Sequence, residues 1–219
     1  MKICCISDLH GYLPELESGD LLVIAGDLTG RDKVDEWNKF YIWLKRQDYR
    51  CKVYIGGNHD NLLTRCISDV EAEEIGLETE PDFIYLQDSG YEFEGLKIWG
   101  SPWTMKFRSQ NEECMAFALD IQTQMSEKWE LIPKDTDILI THSPPYGIGD
   151  DTIYKNRAGC YDLICLIRSI RPKLHVFGHI HEGAGRYEEG GTIFVNASHV
   201  NAHYDPVNKP IYIELSREE

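Results

Sequence analysis

The sequence predicts an α/β fold in which mixed β-sheets are flanked by helices. Five short apolar runs lack polar alternation, which is typical of strands buried on both faces of a mostly parallel sheet. Helical patterns separate several of these runs, as the connections between parallel strands require. Toward the end of the chain, further strand-like runs favour a second, more antiparallel sheet. The five apolar runs are residues 3–6, 21–25, 53–55, 138–140 and 176–177.

Three segments place apolar side chains at helical spacing. Residues 34–44 form an amphipathic stripe, which predicts a helix that covers the sheet. A similar stripe from Met115 to Trp129 predicts a second helix. Residues 160–170 predict a third helix, and Pro172 ends it because proline cannot continue a helix.

The remaining segments predict further strands and surface. Residues 83–99 favour strands and a hairpin, with Gly90 and Gly95 marking turns. Acidic residues 69–81 are interpreted as a surface insertion. Because no repeat or linker divides the chain, residues 1–219 are predicted to form a single domain. The second sheet is predicted from residues 186–187, 192–196 and 211–215.

Side chains that bind metals follow each of the five apolar runs. Ligands in α/β sheets bind beyond the carboxyl ends of the strands, so we expect these side chains to converge. Five of the eight histidines fall at these positions, which a random scatter would not produce. The segments are Asp8-Leu9-His10, Gly26-Asp27, Gly57-Asn58-His59-Asp60, Thr141-His142 and Gly178-His179-Ile180-His181.

The donor atoms in these segments favour a pair of divalent transition-metal ions. Carboxylate oxygen, amide oxygen and imidazole nitrogen suit Mn2+, Fe2+, Co2+ or Zn2+ better than Ca2+. Asp27 has ligands on both sides of it in the set, so we interpret it as the bridge between two ions about 3.5–4 Å apart. The local net charge is about +1 when the charges of Asp8, Asp27 and a bridging hydroxide are subtracted from those of two divalent ions. Such a positive charge would hold a phosphate.

Each histidine alone has an ordinary interpretation as a partly buried polar residue, and only the joint pattern indicates a site. His175 lies inside a predicted strand and is interpreted as a core residue. His199 follows a predicted turn, and a substrate contact is an alternative for it. Arg31 and Arg157 are interpreted as solvated loop residues and are left out of the site.

The composition limits the partners of the chain. A formal net charge of −15 argues against docking on nucleic acid or on an anionic membrane, because phosphate backbones are bound by clustered lysine and arginine. No long apolar segment is present, so neither a signal peptide nor a membrane anchor is expected. Seven cysteines without a Cys-x-x-Cys pair favour reduced thiols, and the predicted location is the cytoplasm.

Together, the five segments resemble those of calcineurin-like metallophosphoesterases, and they occur in the family's order. Within this superfamily the chain is most similar to the small MPPED-type group, near the class III cyclic-nucleotide phosphodiesterases. The resemblance covers nearly the whole chain and implies a four-layer αββα sandwich of two packed mixed sheets between helices. It extends to Gly26-Asp27-Leu28-Thr29, Thr141-His142-Ser143-Pro144-Pro145, Gly178-His179-Ile180-His181-Glu182-Gly183, Val195-Asn196-Ala197-Ser198 and Lys209-Pro210-Ile211.

The resemblance also implies roles for individual residues. His59 would face the substrate phosphate as general acid, beside the ligand Asn58, and Asp60 would orient His59. Gly30 stands where purple acid phosphatases carry a tyrosine, so an Fe3+–tyrosinate is not expected. One metal would be bound by Asp8, His10, Asp27 and His181, and the other by Asp27, Asn58, His142 and His179.

The implied activity is hydrolysis of a small phosphodiester, such as a cyclic nucleotide, by attack of a metal-bridging hydroxide. Mn2+ is the favoured metal, with Fe2+, Zn2+, Co2+ or Ni2+ as alternatives. A phosphomonoesterase or nucleotide pyrophosphatase of the same fold is an alternative enzyme. A non-catalytic metal-binding scaffold is an alternative from a different class, and an oligomer remains open.

Overall fold

The fold contains two main β-sheets in a computed structural model that describes residues 1–64, 83–106, 114–120 and 122–216. The predicted surface insertion at residues 69–81 lies outside the described residues. The first sheet has five strands in the spatial order β13-β1-β2-β3-β4. Its strands are β1 (Lys2–Ile6), β2 (Gly19–Ala25), β3 (Tyr49–Ile55), β4 (Phe83–Tyr85) and β13 (Ile211–Glu214).

The second sheet has six strands in the order β11-β12-β10-β9-β6-β5. Its four inner strands run parallel, and only its two edge strands pair antiparallel. A separate short pair joins β7 (Thr104–Met105) and β8 (Ala118–Leu119). The strands of the second sheet are β5 (Ser89–Phe93), β6 (Leu96–Ser101), β9 (Ile138–Thr141), β10 (Leu174–Phe177), β11 (Gly185–Glu189) and β12 (Thr192–Asn196).

The sheets pack face to face, and helices cover their outer faces. Alternate residues of each strand point to opposite faces, so Cys5 enters the core between the sheets while Cys4 packs outward. Helix α1 (Val34–Arg46) buries Trp37 and Phe40 against the outer face of the first sheet. The outer face of the second sheet is covered by α2 (Gln122–Trp129) and α3 (Tyr161–Ile170). This arrangement confirms the four-layer αββα sandwich.

Four local predictions require correction. The five apolar runs divide between two sheets, because β9 and β10 belong to the second, and residues 211–214 join the first sheet antiparallel to β1. Gly90 lies inside β5 opposite Trp99, and the hairpin turns at Gly95 instead. The stripe from Met115 to Trp129 is helical only from Gln122.

The start of that stripe leaves the helical conformation for a local reason. Phe117 has a φ of 52°, a left-handed value that no right-handed helix contains. The N–H of Ala116 donates to the carbonyl of Asn58 at 3.2 Å, which ties this segment to the loop after β3. The segment therefore packs beside the loop of Asn58 without being helical, and Ala116 and Phe117 join the buried cluster on the outer face of the first sheet.

The two sheets are joined at the carboxyl ends of β1 and β12. Beyond its strand, Ser7 donates its N–H to the carbonyl of Ala197 and accepts the N–H of His199, both at 2.8 Å. Ser7 and Ser198 thereby form a parallel bridge between the continuations of the two strands. The chain segments that leave both sheets are thus held side by side, and the predicted ligands occupy this end of the sandwich.

Candidate metal centre

Four of the predicted ligands occupy left-handed backbone conformations just beyond strand ends. Their φ angles are 51° for Asp8, 43° for His10, 52° for Asp27 and 69° for His179. Such values are uncommon outside glycine and cost free energy, and they cluster where function requires a side chain to be redirected. Each sharp turn here directs a polar side chain away from the strand and into the space between the sheets.

Two glycines make room for the carboxylates. A Cβ atom on Gly178 would lie 2.1 Å from both Asp8 Oδ2 and Ser7 Oγ. A Cβ atom on Gly57 would lie 2.3 Å from Asp27 Oδ1. Both distances are far below van der Waals contact, so the backbone itself forms one wall of the centre.

One group of donors surrounds His181. Its Nε2 lies 3.2 Å from Asp8 Oδ1 and 3.3 Å from His10 Nε2. His10 Nε2 in turn lies 3.6 Å from Asp27 Oδ2. All four side chains are buried. These are the four residues predicted for one metal, and the fold brings them together.

A second group surrounds His142 on the other side of Asp27. His142 Nε2 lies 3.4 Å from Asp27 Oδ1 and 3.2 Å from Asn58 Oδ1. The ring of His179 lies 5.1 Å from the ring of His142, measured between centroids. The two oxygens of Asp27 thus face two different histidines, one in each group, as a bridging carboxylate would.

The donor atoms in both groups are arranged so that a cation could lie between them. His142 Nδ1 lies 2.8 Å from the carbonyl oxygen of Ala25, and His181 Nδ1 lies 3.1 Å from that of Asn201. A carbonyl oxygen only accepts, so each neutral imidazole carries its proton on Nδ1 and presents a lone pair on Nε2. Those lone pairs face carboxylate and amide oxygens, which repel them unless a proton or a metal ion lies between. Backbone carbonyls that fix a histidine tautomer are the usual support of a ligand to a metal.

The pKa shifts of these side chains report the same crowding. Burial would raise the pKa of Asp8, but its hydrogen bond with His181 and the charges of His181 and His142 together hold the pKa below its usual range. Burial would lower the pKa of His142, but the charge and hydrogen bond of Asp27, the charge of Asp8 and the carbonyl of Ala25 together raise the pKa to about 9. Burial lowers the pKa of His10 to about 4. A proton on His142 therefore takes the place of a cation beside Asp27.

His59 lies next to the first group. Its ring is 4.5 Å from the ring of His10, and its Nδ1 lies 3.1 Å from the carbonyl oxygen of Gly30. Because that oxygen only accepts, Nδ1 is the protonated nitrogen and Nε2 is left for the centre. The thiol of Cys114 lies 3.5 Å from the same Nδ1.

The carboxylate of Asp60 accepts hydrogen bonds from the loops around the centre and not from the ring of His59, and its role in orienting His59 stays a prediction. Its carboxylate accepts the N–H groups of Gly57, Leu28 and Thr29 at 2.8–3.1 Å. Burial, together with the charge of Asp27, raises the pKa of Asp60 to about 7. Asp60 therefore fastens the loop after β3 to the loop after β2.

Asp8 is held by a network that spans both sheets. The hydroxyl of Ser198 lies 2.8 Å from Asp8 Oδ2, and the N–H of His179 donates to the same carboxylate at 3.0 Å. Asn196 donates its amide to the carbonyls of Gly149 and Ile180 at 2.9 and 2.8 Å. The side chain of Asn196 also accepts the N–H of Ser198, so the loop that bears His179 is tied to Asp8.

Sequence reasoning missed Tyr204, whose ring covers the first group. Ring centroids place Tyr204 4.8 Å from His10, 5.1 Å from His181 and 6.2 Å from His59. The carbonyl of Asn201 accepts the N–H of Tyr204 at 2.9 Å as well as the Nδ1–H of His181. The available signal in the sequence was Asn201, a residue type common in turns, but a turn does not reveal the direction of the Tyr204 side chain.

Other residues considered from the sequence lie outside the centre. His175 is buried in β10 with its Nε2 2.8 Å from Thr141 Oγ1, which confirms the prediction of a core histidine. His199 is buried and bonded through Nδ1 to the carbonyl of Asn208 at 2.7 Å. Arg157 pairs with the buried carboxylate of Asp150 at 2.8 Å, so it is engaged in its own loop.

Comparison with known sequences agrees with this geometry. The sequence model of the family described as Calcineurin-like phosphoesterase matches residues 1–183. The chain belongs to this family. Calcineurin-like phosphoesterases similar to it include Metallophosphoesterase domain-containing protein 1 of Homo sapiens, which is 38% identical over 235 residues covering 98% of this chain and 71% of the human protein. A UPF0046 protein of Caenorhabditis elegans is 34% identical over 242 residues, covering 98% of this chain and 60% of its own length.

Solved structures show the same fold at low sequence identity. The structure of the Thermus thermophilus protein TT1561 matches with a TM-score of 0.62 and 20% identity, covering 89% of this chain and 88% of that one. GAP50, described as the anchor in the inner membrane complex of Plasmodium, matches with a TM-score of 0.50 and 11% identity, covering 91% and 71%. Among the described residues of the present phosphoesterase, no helix is long and apolar enough to cross a membrane.

Proposed function

We propose that this phosphoesterase is a binuclear metal-dependent enzyme that hydrolyses a small phosphodiester. The observation that carries the proposal is the shared carboxylate of Asp27, whose two oxygens lie 3.6 Å from His10 Nε2 and 3.4 Å from His142 Nε2. Each of these histidines belongs to a separate group of buried donors. A carboxylate placed between two such groups suits two cations better than one.

The carboxylate, amide and imidazole donors present in the centre suit two divalent ions. We assign Asp8, His10 and His181 to one ion and Asn58, His142 and His179 to the other, with Asp27 shared. Held by these residues, two divalent ions would supply Lewis-acid polarisation of a phosphoryl oxygen and would lower the pKa of a bound water. The protein contributes the fixed tautomers and the buried carboxylates that would hold the pair in place.

His59 supplies the proton for the leaving oxygen in this proposal. Its Nδ1–H is committed to the carbonyl of Gly30, so the role requires the imidazolium form, in which Nε2 carries the proton to be transferred, and the ring lies beside His10 and Asp27. The N–H of His59 also donates to Asp27 Oδ1 at 2.9 Å, which fixes the backbone of the donor to the shared carboxylate. The ring is thereby held beside the centre at a point where a departing oxygen can accept its proton.

The proposed substrate is a phosphodiester of low molecular weight, with a cyclic nucleotide as the first choice. Support comes from the similarity to the MPPED-type relatives and from the net charge of −15, which disfavours a polyanionic nucleic acid. A phosphomonoesterase or nucleotide pyrophosphatase is the alternative enzyme. A non-catalytic scaffold is the alternative class, and GAP50, described as the anchor in the inner membrane complex of Plasmodium, has a similar fold.

Manganese is the proposed metal, with iron, zinc, cobalt or nickel as substitutes, because oxygen and imidazole donors suit all of them. We propose a single catalytic domain, since one cluster of buried side chains contains residues from both sheets. A cytoplasmic location is proposed because the seven cysteines of the sequence include no Cys-x-x-Cys pair, a pattern that favours reduced thiols.

The function is tested with a panel of substrates on protein reconstituted with Mn2+. The panel contains 2′,3′- and 3′,5′-cyclic nucleotides, aryl phosphodiesters, aryl phosphomonoesters and dinucleoside polyphosphates. Faster turnover of the diesters than of the monoesters is the expected result. Turnover of monoesters alone would support the alternative enzyme, and no turnover by the metal-loaded protein would support the scaffold.

His59→Ala separates the proton donor from the metal ligands. The variant should keep its metal and lose roughly 10²–10⁴ in rate on alkyl or nucleoside esters, which is the usual contribution of general acid catalysis. With a nitrophenyl ester the loss should shrink, because nitrophenolate leaves without a proton. His203→Ala is the matched control, since that histidine is exposed on the surface. Equal losses on both ester types would remove the general-acid role.

A further inference from the structure

Tyr204 forms an aromatic wall beside the position where the leaving group must lie. Tyr204 is 47% exposed, so the residue stays partly open to solvent while its ring contacts His10 and His181. The ring also lies 6.2 Å from that of His59, the proposed proton donor. A leaving oxygen that takes its proton from His59 therefore departs within reach of the tyrosine ring.

The position of this ring is built into the loop. Tyr204 has a φ of 63°, a conformation unusual for a bulky side chain, and it is stabilised by several hydrogen bonds. Asn201 Oδ1 accepts the N–H groups of His203 and Asp205 at 2.8 and 3.0 Å. The N–H of Tyr204 itself donates to the carbonyl of Asn201, the same oxygen that accepts Nδ1–H of His181.

The base of the loop is fixed as firmly as its tip. Asn208 donates its amide to the carbonyls of Ser198 and Val200 at 3.0 and 3.2 Å. The N–H of Asn208 donates to the carbonyl of His199 at 3.0 Å, and its own carbonyl is bonded to Nδ1 of that histidine. These hydrogen bonds therefore fix the loop that carries Tyr204, and the tyrosine ring lies against the centre without a bound ligand.

We propose that Tyr204 is a specificity-determining residue that stacks against a planar leaving group or a nucleobase next to the scissile phosphate. The inference rests on the proposed phosphodiesterase function and narrows its substrate class to esters with a flat aromatic group. An open tyrosine ring favours such groups because aromatic pairs gain dispersion and electrostatic contacts at offset or edge-on geometry. Stacking of a base on an aromatic side chain tolerates any base, because every base has a π-face.

The test compares two methyl phosphodiesters whose leaving groups are similarly acidic but differ in shape. One carries phenol, which is planar, and the other carries hexafluoroisopropanol, which is not. In Tyr204→Leu, kcat/KM for the phenyl ester should fall by roughly 5- to 100-fold more than for the fluoroalkyl ester, the range that loss of base stacking gives. Tyr204→Phe keeps the ring and should keep the wild-type ratio between the two esters. Tyr161→Leu is the control, since that tyrosine is 61% exposed and its ring contacts Tyr146 instead of the centre.

A binding measurement that needs no turnover accompanies the kinetics. Calorimetry should show that adenosine 5′-monophosphate binds metal-loaded protein more tightly than ribose 5-phosphate, and Tyr204→Leu should remove that difference. Metal content is measured in each variant, because the ring touches two of the proposed ligands. Equal losses on both esters in fully loaded Tyr204→Leu, or an unchanged preference for the nucleotide, would overturn the stacking role alone. A wild type that hydrolyses neither ester would overturn the proposed function, and the stacking role would fall with it.

Discussion

Gly178→Ala tests whether Asp8 is a metal ligand, because the methyl group added at residue 178 would displace the Asp8 carboxylate. The added Cβ would lie 2.1 Å from Asp8 Oδ2 and Ser7 Oγ, so those atoms must retreat by about 1.3 Å to reach the 3.4 Å of ordinary contact. Metal–ligand distances tolerate only about 0.2 Å. Asp8 cannot move freely, because Ser198 and the N–H of His179 hold its carboxylate.

The expected result is loss of one ion with the fold retained. Overpacking of this kind costs about 1–3 kcal/mol of unfolding free energy, whereas a displacement of about 1 Å at a reacting centre costs roughly a hundredfold in rate. Titration calorimetry and elemental analysis measure the metal, and denaturant unfolding of the metal-free protein measures the fold. Gly90→Ala is the control, since Gly90 is exposed and its added Cβ would come no closer than 3.3 Å to Ile98. A Gly178→Ala protein that binds two ions with wild-type affinity would refute the assignment of Asp8.

Three further outcomes are expected. Asp27→Ala should lose both ions, because the two cations would then face each other with less negative charge between them, whereas Asn58→Ala should weaken the binding of mainly one ion. Elemental analysis of the two purified variants measures the difference. Two bound ions in Asp27→Ala would contradict the bridging role of Asp27. The Mn2+ or Zn2+ form should be active without strong visible absorption, because Gly30 offers no tyrosinate, and a spectrum of the active enzyme checks this. Burial lowers the pKa of His175 from 6.5 to about 3, so the native state resists its protonation and loses stability as the pH falls through this window. Between pH 6.5 and 5 the wild type should lose about 1.7 kcal/mol more unfolding free energy than His175→Gln, because the unfolded-state histidine is half protonated at pH 6.5 and nearly fully protonated at pH 5. Parallel acid-unfolding curves would contradict this.

Local patterns in the sequence were sufficient to locate the strands and to predict which side chains converge beyond their ends. Each of the five apolar runs is a buried strand, and each predicted ligand follows one of them. This works because a buried strand needs a continuous apolar run, and because a ligand beyond its end needs only a short turn. The two groups of donors around Asp27 follow when each of the five apolar runs is taken as a strand with ligand side chains just beyond its end.

Sheet membership and loop contacts were not predictable in the same way. The runs at residues 138–140 and 176–177 read like those of the first sheet, since both sheets bury their inner strands on two faces. The role of Asp60 depends on backbone N–H groups of Gly57, Leu28 and Thr29, and no residue type signals such acceptor geometry. A stripe of apolar residues also cannot reveal the left-handed φ of Phe117 that interrupts the predicted helix.

The junction of Ser7 with Ser198 has a consequence for the order of events during synthesis. His10 meets His181 across 171 residues of chain, and His142 meets Asn58 across 84, so no ligand group is complete in an early nascent chain. The carbonyl that supports His181 belongs to Asn201, and β13 reaches β1 later still. Contacts this distant in sequence form slowly, because loop closure precedes any gain in contact energy. We therefore expect full loading of both proposed ions only after His179 and His181 have been synthesised.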